Sequence, residues 1–425
     1  MNRVVIWLVV MAILGTVGCA AQPTAEAVPK SDKERISSPN VANADLAQLV
    51  EGNSAFALDL YRALVEEKEG NFFYSPFSIS MALAMCYAGA RGETEQQMAE
   101  VLHFALAQEQ LHPAFNYLDL ELAGRGQEAQ GKDGQGFRLN IVNATWAQEG
   151  YPFLIAYLDT LAENYGAGLR TLDFSKDPEA ARVTINDWVS EQTEERIKDL
   201  IPQGVINPVT RLVLTNAIYF NAAWANPFNA ERTADGAFHL LNGSTVTVPM
   251  MQQQASFGYA ERDGVQIVEL PYDGHELSMV ILLPGKDGLE NLENEMDVKG
   301  MHTALNELRY QEVALTMPKF KIESDFGLAE TLQNMGMVDA FSESADLSGM
   351  DGTQDLFIQD VVHKAFVDVD EAGTEAAAAT AVIVGLKAMP QQPVKMTIDR
   401  PFVFFIRDIQ TGTVLFVGRI VDPSL

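Results

Sequence analysis

The chain has 425 residues, with 29 Lys plus Arg against 58 Asp plus Glu, so its formal net charge is −29. A surface this acidic repels phosphate, which argues against nucleic-acid binding. Two cysteines are too few for a disulfide scaffold or a four-thiolate zinc site. The apolar fraction, 47%, is ordinary for a globular chain and fits one large domain or two average ones.

The first residues have the pattern of an export signal. An uncharged apolar run over residues 4–14 is followed by small residues up to Cys19. The sequence Thr-Val-Gly-Cys that ends there resembles a bacterial lipobox, with Thr16 where Leu is usual. Residues 1–18 are therefore predicted to be a signal peptide and Cys19 the lipidated first residue of the mature protein. A plain secretory cleavage near residue 20 or 21 and an uncleaved membrane anchor are the alternatives, and all three place the chain outside the cytoplasm.

A short polar segment separates this signal from the folded part. Residues 19–46 are rich in Ala, Pro, Ser, Lys and Asn and largely lack hydrophobic periodicity, so they are predicted to be a flexible tether. The folded domain is predicted over residues 47–425.

Helices and strands are intermixed along this domain rather than alternating, which indicates an α+β fold. Helical periodicity covers residues 45–65, 145–165 and 178–200. Strand patterns are clearer in the second half, at residues 211–220, 245–251, 276–283, 312–317, 361–369, 402–406 and 414–417.

No motif predicts a metal, a cofactor or a hydrolase. Residues 126–132 match most of a P-loop, but Asp133 stands where Ser or Thr must hold the metal. Residues 368–379 begin like a calcium loop and lack its last oxygen ligands. The six histidines are scattered, so an enzyme with a dispersed active site is kept only as a rival hypothesis.

The most informative stretch is residues 371–400. No proline lies between Thr374 and Met389, so each residue can donate a hydrogen bond to a neighbouring strand. The alternate positions that would share one strand face carry no charge: Thr374, Ala376, Ala378, Thr380, Val382, Val384 and Leu386. That face could enter a core, yet the alanines have poor strand propensity, so the segment can also remain an exposed loop.

This stretch resembles the hinge and reactive-centre loop of the serpin family, the serine protease inhibitors. Further motifs follow in the order typical of that family: Asn71 to Ile79, Leu214 to Phe220, Trp224 with Pro227 and Phe228, Leu270 to Tyr272, Met317 to Phe320, Val362 to Ala365, Pro401 with Phe402, and Leu415 to Gly418. The resemblance covers nearly all of residues 47–424, and the ordered set is very specific.

The resemblance implies a single domain with three β-sheets, about nine helices and an exposed reactive-centre loop over residues 371–400. It implies an inhibitor rather than an enzyme, with no cofactor. The inhibitor would act as a suicide substrate: a serine protease attacks the loop, and the cleaved segment then enters the central sheet. The predicted partner is therefore a serine protease. The inhibitor itself is expected to be a monomer, tethered to a membrane by its N-terminus.

Site residues follow from the same resemblance. Family spacing places the cleaved bond between Lys387 and Ala388, which suits the aspartate-floored pocket of trypsin-like proteases. Cleavage at Leu386 or Met389 by a chymotrypsin-like or elastase-like protease is the alternative. The predicted hinge consists of Glu371, Gly373, Thr374, Glu375, Ala376, Ala378 and Thr380. Ser75, Ser78, Asn216 and His363 match the family's shutter, a polar cluster beneath the central strands, and Trp224 matches its breach, where the loop enters the sheet.

The alternative hypothesis is a non-inhibitory serpin that acts as a carrier, chaperone or structural protein. Such members commonly have charged or proline-bearing hinges, and the small residues after Gly373 argue against it. Arg91 is the one basic residue over 91–100, where heparin-activated relatives are basic, so a glycosaminoglycan cofactor is not expected.

Overall fold

The structure is a computed structural model that describes residues 31–127, 129, 137–166, 170–374 and 392–425. These residues form ten α-helices and fifteen strands, which confirms the predicted α+β class. About nine helices were expected. The helices are α1 Asn43–Glu67, α2 Pro76–Tyr87, α3 Gly92–Val101, α4 Gln108–Ala123, α5 Ile155–Tyr165, α6 Pro178–Gln192, α7 Leu289–Glu295, α8 Val298–Glu307, α9 Ala329–Asn334 and α10 Ser348–Asp351, with short 3₁₀ turns at Ala230–Arg232 and Asp339–Phe341.

The strands fall into two hydrogen-bonded sheets among the described residues. One has nine strands: β1 Phe72–Tyr74, β5 Ala234–His239, β6 Thr245–Arg262, β7 Val265–Pro271, β8 Leu277–Leu283, β9 Arg309–Pro318, β13 Val394–Thr397, β14 Phe402–Asp408 and β15 Val414–Ile420. The other has six: β2 Arg138–Gln148, β3 Arg170–Leu172, β4 Leu212–Ala223, β10 Phe320–Gly327, β11 Val362–Val369 and β12 Gly373–Thr374.

Three sheets were expected, and the 18-residue strand β6 explains the difference. Residues 245–250 of this strand pair with β5 and residues 250–259 pair with the whole of β9, whereas its last five residues pair with β7. Strand β6 is therefore shared by two of the three expected sheets, and its hydrogen bonds join them into a single nine-stranded sheet.

Helix α2 lies at the centre of the molecule, and all twelve of its residues are buried. It starts where Ser75 caps it: the Ser75 hydroxyl accepts a hydrogen bond from the Ser78 amide, and Pro76 occupies the first helical position. The helix packs against both sheets, on β2 and β4 of the six-stranded sheet and on β15 of the nine-stranded sheet.

Two segments differ from the sequence-based expectation. Residues 145–148, predicted to be helical, form the end of β2, because residues 145–147 pair with β4, Gln148 pairs with β3, and Trp146 is buried in one cluster with Ile185 and Val189 of α6. Tertiary pairing therefore overrides the local periodicity. The predicted tether also differs, because residues 31–36 hydrogen-bond to α4 and α5 and α1 begins at Asn43. Residues 31–46 thus belong to the folded unit.

Candidate functional site

The start of the predicted loop is already part of the six-stranded sheet. Strand β12 lies between β4 and β11: Gly373 and Thr374 pair with Ala223 and Ala222 of β4, and Thr374 also pairs with Val369 of β11. Beyond this point β4 and β11 pair directly with each other, in parallel, over Thr215–Tyr219 and Val362–Phe366. The two strands are therefore separated at one end and closed along the rest of their length.

Gly373 is required for this arrangement. Its φ is +149°, and a Cβ atom on this residue would lie 2.1 Å from the carbonyl oxygen of Ala222. Only glycine allows β12 to approach β4 so closely. The next residue, Thr374, is fully buried, and its hydroxyl lies 3.1 Å from the Tyr272 hydroxyl.

Trp224 holds the turn that precedes β12. Its backbone amide donates to the Ala372 carbonyl at 2.8 Å, and its indole Nε1 donates to the Asp370 carbonyl at 3.0 Å. The indole stacks on Tyr272 with ring centroids 4.6 Å apart. The predicted breach residue therefore lies directly beneath the point where the loop enters the sheet.

Glu371 anchors the same turn through its carboxylate. The Lys319 ammonium donates to it at 2.8 Å and the Thr233 hydroxyl at 2.7 Å. Burial by itself would raise the pKa of Glu371, but these hydrogen bonds outweigh that effect and hold the pKa below its ordinary value. Glu371 is thus an ionised, paired carboxylate that ties the loop to β9 and β10 through the residue between them.

A second polar cluster lies beneath the closed part of β4 and β11. The Ser75 amide donates to His363 Nε2 at 3.1 Å, so the other ring nitrogen, Nδ1, carries the proton and donates to Asn216 Oδ1. Asn216 Nδ2 donates at 2.7 Å to Ser78 Oγ and also at 2.7 Å to Asn143 Oδ1. The structure therefore brings together all four residues predicted for the shutter.

Asn143 is a member of this cluster that the sequence did not reveal. It lies on β2, Asn216 on β4 and His363 on β11, so the cluster ties three strands of one sheet together. Asn143 was not predicted as a member of this cluster, because the helical periodicity of residues 145–165 suggested that a helix begins two residues later. Burial lowers the pKa of His363 to about 3, which keeps the imidazole neutral.

The two described ends of the predicted loop lie in different sheets. Strand β12 belongs to the six-stranded sheet, whereas β13 pairs in parallel with β9 of the nine-stranded sheet. The expectation of an exposed loop over 371–400 therefore needs correction: Gly373–Thr374 and Val394–Thr397 are strands, because their backbone groups find partners in the sheets. The other predicted loop residues lie outside the described residues, namely Glu375, Ala376, Ala378, Thr380, Leu386, Lys387, Ala388 and Met389, as does Cys19.

Within the part of the chain that the structure describes, no group of His, Cys, Asp and Glu side chains is arranged to hold a metal ion. The helices among these residues are all too short or too polar to cross a membrane.

Comparisons with known proteins agree with this geometry. Residues 51–423 match the family described as serpin (serine protease inhibitor). A leukocyte elastase inhibitor of Bos taurus is 42% identical over 388 residues, which cover 89% of this chain and 100% of the relative. An uncharacterized serpin-like protein of Thermococcus kodakarensis is 42% identical over 378 residues, covering 88% and 86% of the two chains.

Solved structures give the same result. Uncleaved ovalbumin superposes with a TM-score of 0.78 at 29% identity, covering 88% of this chain and 100% of its own. Human thyroxine-binding globulin superposes with a TM-score of 0.79 at 31% identity, covering 89% and 99%. The chain belongs to the serpin family and has the serpin fold. It is therefore not an enzyme but a member of a family of protease inhibitors.

Proposed function

We propose that this protein inhibits a trypsin-like serine protease as a suicide substrate, with cleavage between Lys387 and Ala388. The observation that supports this proposal most directly is β12. Its two residues already lie between β4 and β11, so the residues that follow Thr374 have a defined register in which to continue as a new central strand.

The proposed reaction starts as ordinary proteolysis. The serine hydroxyl of the protease attacks the Lys387 carbonyl carbon, its proton passes to the Ala388 nitrogen as the bond between Lys387 and Ala388 breaks, and Lys387 becomes an ester of the protease. Because the two ends of the loop are rooted in different sheets, the cut frees the segment attached to β12 from the segment attached to β13. The 14 residues from Thr374 to Lys387 then span roughly 46 Å as a strand, at about 3.3 Å per residue.

The sheet geometry favours this insertion. Strand β11 is parallel to β4, whereas β12 is antiparallel to both. Extending β12 replaces one parallel junction with two antiparallel junctions, which are slightly more stable per residue. It also gives hydrogen-bond partners to loop backbone and buries an uncharged strand face.

The trapped complex follows from the covalent ester. As the segment inserts, the protease is carried along with Lys387 and pressed against the inhibitor. A displacement of about 1 Å among the catalytic groups can lower the rate by roughly a factor of 100, so the ester is hydrolysed too slowly to release the protease. The net charge of −29 would steer cationic proteases to the loop at low ionic strength.

An elastase-like target is the second candidate, and the relatives support it. The relatives from Bos taurus and Homo sapiens, 42% and 41% identical, are named leukocyte elastase inhibitors. An elastase-like or chymotrypsin-like protease would cleave at Leu386 or Met389 instead of Lys387. Sequencing the new amino terminus after cleavage separates the two candidates.

A carrier function is the third candidate, and a cavity supports it. An apolar cavity of about 320 Å³ lies between α1, α7 and α8 and the strands β7, β8, β14 and β15. Thyroxine-binding globulin, one of the similar structures, was solved with thyroxine bound. Binding of a fluorescent apolar dye, competed by apolar small molecules and unaccompanied by protease inhibition, would favour the carrier function.

We further propose that the protein is a lipoprotein tethered outside the cytoplasm and acts as a monomer. The apolar run over residues 4–14 and the lipobox-like sequence before Cys19 support the tether. Radiolabelled palmitate should be incorporated into the wild-type chain but not into Cys19→Ala, and that variant should appear in the soluble fraction. Label in the variant would refute lipidation at Cys19.

The inhibitory proposal is tested by mixing the full chain with trypsin and running denaturing gels. A band at the summed mass that survives denaturant is expected, with one inhibitor per protease. Lys387→Glu should abolish the band because it reverses the charge that the protease pocket recognises. Lys387→Arg should keep the band because it retains that positive charge. Thr374→Arg should convert the protein into a cleaved substrate, whereas Thr374→Ser, which keeps the buried hydroxyl, should still form the complex. Complex formation by Thr374→Arg would refute the insertion step.

A further inference from the structure

Residues 31–36, which we call the N-terminal strap, cross two helices of the domain. The Ser31 hydroxyl donates to Asp159 Oδ1 of α5 at 2.5 Å, and the Ile36 amide donates to the Glu163 carbonyl of α5 at 2.9 Å. The strap thus runs along α5 and is joined to it at both ends.

Arg35 joins the same strap to α4. Its Nε donates to Asn116 Oδ1 at 2.8 Å and its second amino group contacts Asp119 Oδ2 at 2.6 Å. Asn116 is fully buried, and its Nδ2 donates to the Ile36 carbonyl at 2.8 Å and to the Glu163 carbonyl at 3.3 Å. Arg35 and Asn116 therefore link the strap, α4 and α5 in one hydrogen-bonded network.

Helices α4 and α5 pack on each other, and each connects to a different part of the molecule that we infer would shift if a strand inserts. Helix α4 packs against α1, which packs against β15 of the nine-stranded sheet. Helix α5 lies between β2 and β3 in the sequence, and these strands pair on the β4 side of the six-stranded sheet. A new strand between β4 and β11 would displace β2, β3 and β4 by about 4.8 Å relative to β11. Helix α5 would have to move with these strands, or the segments that connect it to β2 and β3 would be strained.

We propose that the N-terminal strap is a clasp that slows opening of the six-stranded sheet by holding α5 on α4. The proposal rests on the insertion mechanism above, and it adds a regulatory role for residues 31–36. Opening would require the Arg35 and Asn116 contacts to break or rearrange. These bonds are shielded from water, because Asn116 is fully buried and the side chains of Arg35 and Asp119 are only 26% and 22% exposed.

The test measures uptake of a strand without a protease. The full chain, in mild detergent, is incubated with excess synthetic peptide carrying the sequence of residues 375–387, and the urea-resistant complex is followed on native gels. Arg35→Ala should form the complex at least about tenfold faster than wild type, which corresponds to about 1.4 kcal/mol in the barrier. Asp119→Asn, which removes only the charge, should show a smaller acceleration in the same direction.

Lys33→Ala is the matched control in the same strap. Lys33 pairs with Glu163 at 3.3 Å, but its side chain is 55% exposed, so its removal should leave the rate within about twofold of wild type. Equal near-ultraviolet circular dichroism before incubation shows that each variant starts from the same fold.

The outcomes separate the clasp from the mechanism on which it rests. If wild type and Arg35→Ala take up the peptide at the same rate, the sheet accepts a strand and the clasp is refuted. If neither takes up the peptide, both the insertion mechanism and the clasp are overturned. An acceleration in Lys33→Ala equal to that in Arg35→Ala would also overturn the clasp, because the loss of any strap contact would then suffice.

Discussion

The two buried histidines should make the protein lose stability as the pH falls below 6.5. Burial lowers the pKa of His363 to about 3 and that of His112 to about 4, the latter with a smaller contribution from Arg91. Both values are below the unfolded value of about 6.5. The unfolded chain therefore binds protons first on acidification, and the free energy of unfolding decreases.

The size of the effect follows from these values. At pH 5 each histidine favours the unfolded state by about 2 kcal/mol relative to pH 7.5, so the two together lower the free energy of unfolding by about 4 kcal/mol. Carboxylates such as Glu371, whose pKa is lowered, lose their contribution only as the pH falls below about 4.5. The window from pH 6.5 to 5 therefore isolates the histidines.

Urea unfolding at pH 7.5, 6.5, 5.5 and 5 measures this dependence. The change in unfolding free energy between pH 7.5 and 5 should be about half as large in His363→Gln as in wild type, whatever the absolute stability of the variant. His112→Gln should have nearly the same effect on the slope, because the pKa of His112, about 4, also lies below pH 5 in the folded state. A wild-type free energy that does not change between pH 7.5 and 5, or an unchanged slope in His363→Gln, would refute the assignment of a buried neutral imidazole.

Three further variants address the loop entrance and the cluster beneath the sheet. Gly373→Ala should expel β12 from the sheet, because the added Cβ would lie 2.1 Å from the Ala222 carbonyl oxygen. A nonspecific protease should then cleave this segment faster than in wild type, and an unchanged cleavage rate would contradict the prediction. Glu371→Gln should lower the urea midpoint by an amount equivalent to about 1 kcal/mol through loss of the Lys319 pair, and an unchanged midpoint would contradict this. Asn143→Ala should cost about 1–3 kcal/mol by leaving the Asn216 amide with one acceptor fewer, which the same unfolding assay would detect or exclude.

Much of the fold could be predicted from local sequence. The helical periodicity over residues 45–65 and 178–200 matches α1 and includes α6, and all seven predicted strand patterns lie in or overlap observed strands. The family motifs also identified the residues that meet beneath the sheet, although they are hundreds of positions apart, as Ser75 and His363 are. Motif order carries this information because each motif is fixed to one element of the fold.

Other features depended on the tertiary structure. The residues before Gln148 have helical periodicity yet form a strand, because pairing with β4 outweighs a weak local preference. The polar composition of residues 31–36 suggested a tether, yet Arg35 finds a buried amide on a helix 81 residues away. The composition of a segment indicates only how such segments usually behave. Whether a particular segment packs depends on the residues that the rest of the chain places next to it.

The sequence by itself determined the family, the class of fold and the uncharged strand face that begins at Thr374. The tertiary structure decided how far that segment already belongs to the sheet. Gly373 can enter between β4 and β11 because it has no side chain to meet the Ala222 carbonyl, and the strands beyond remain closed over the His363 cluster. These are long-range steric and hydrogen-bonding relations, which no local pattern of residues contains.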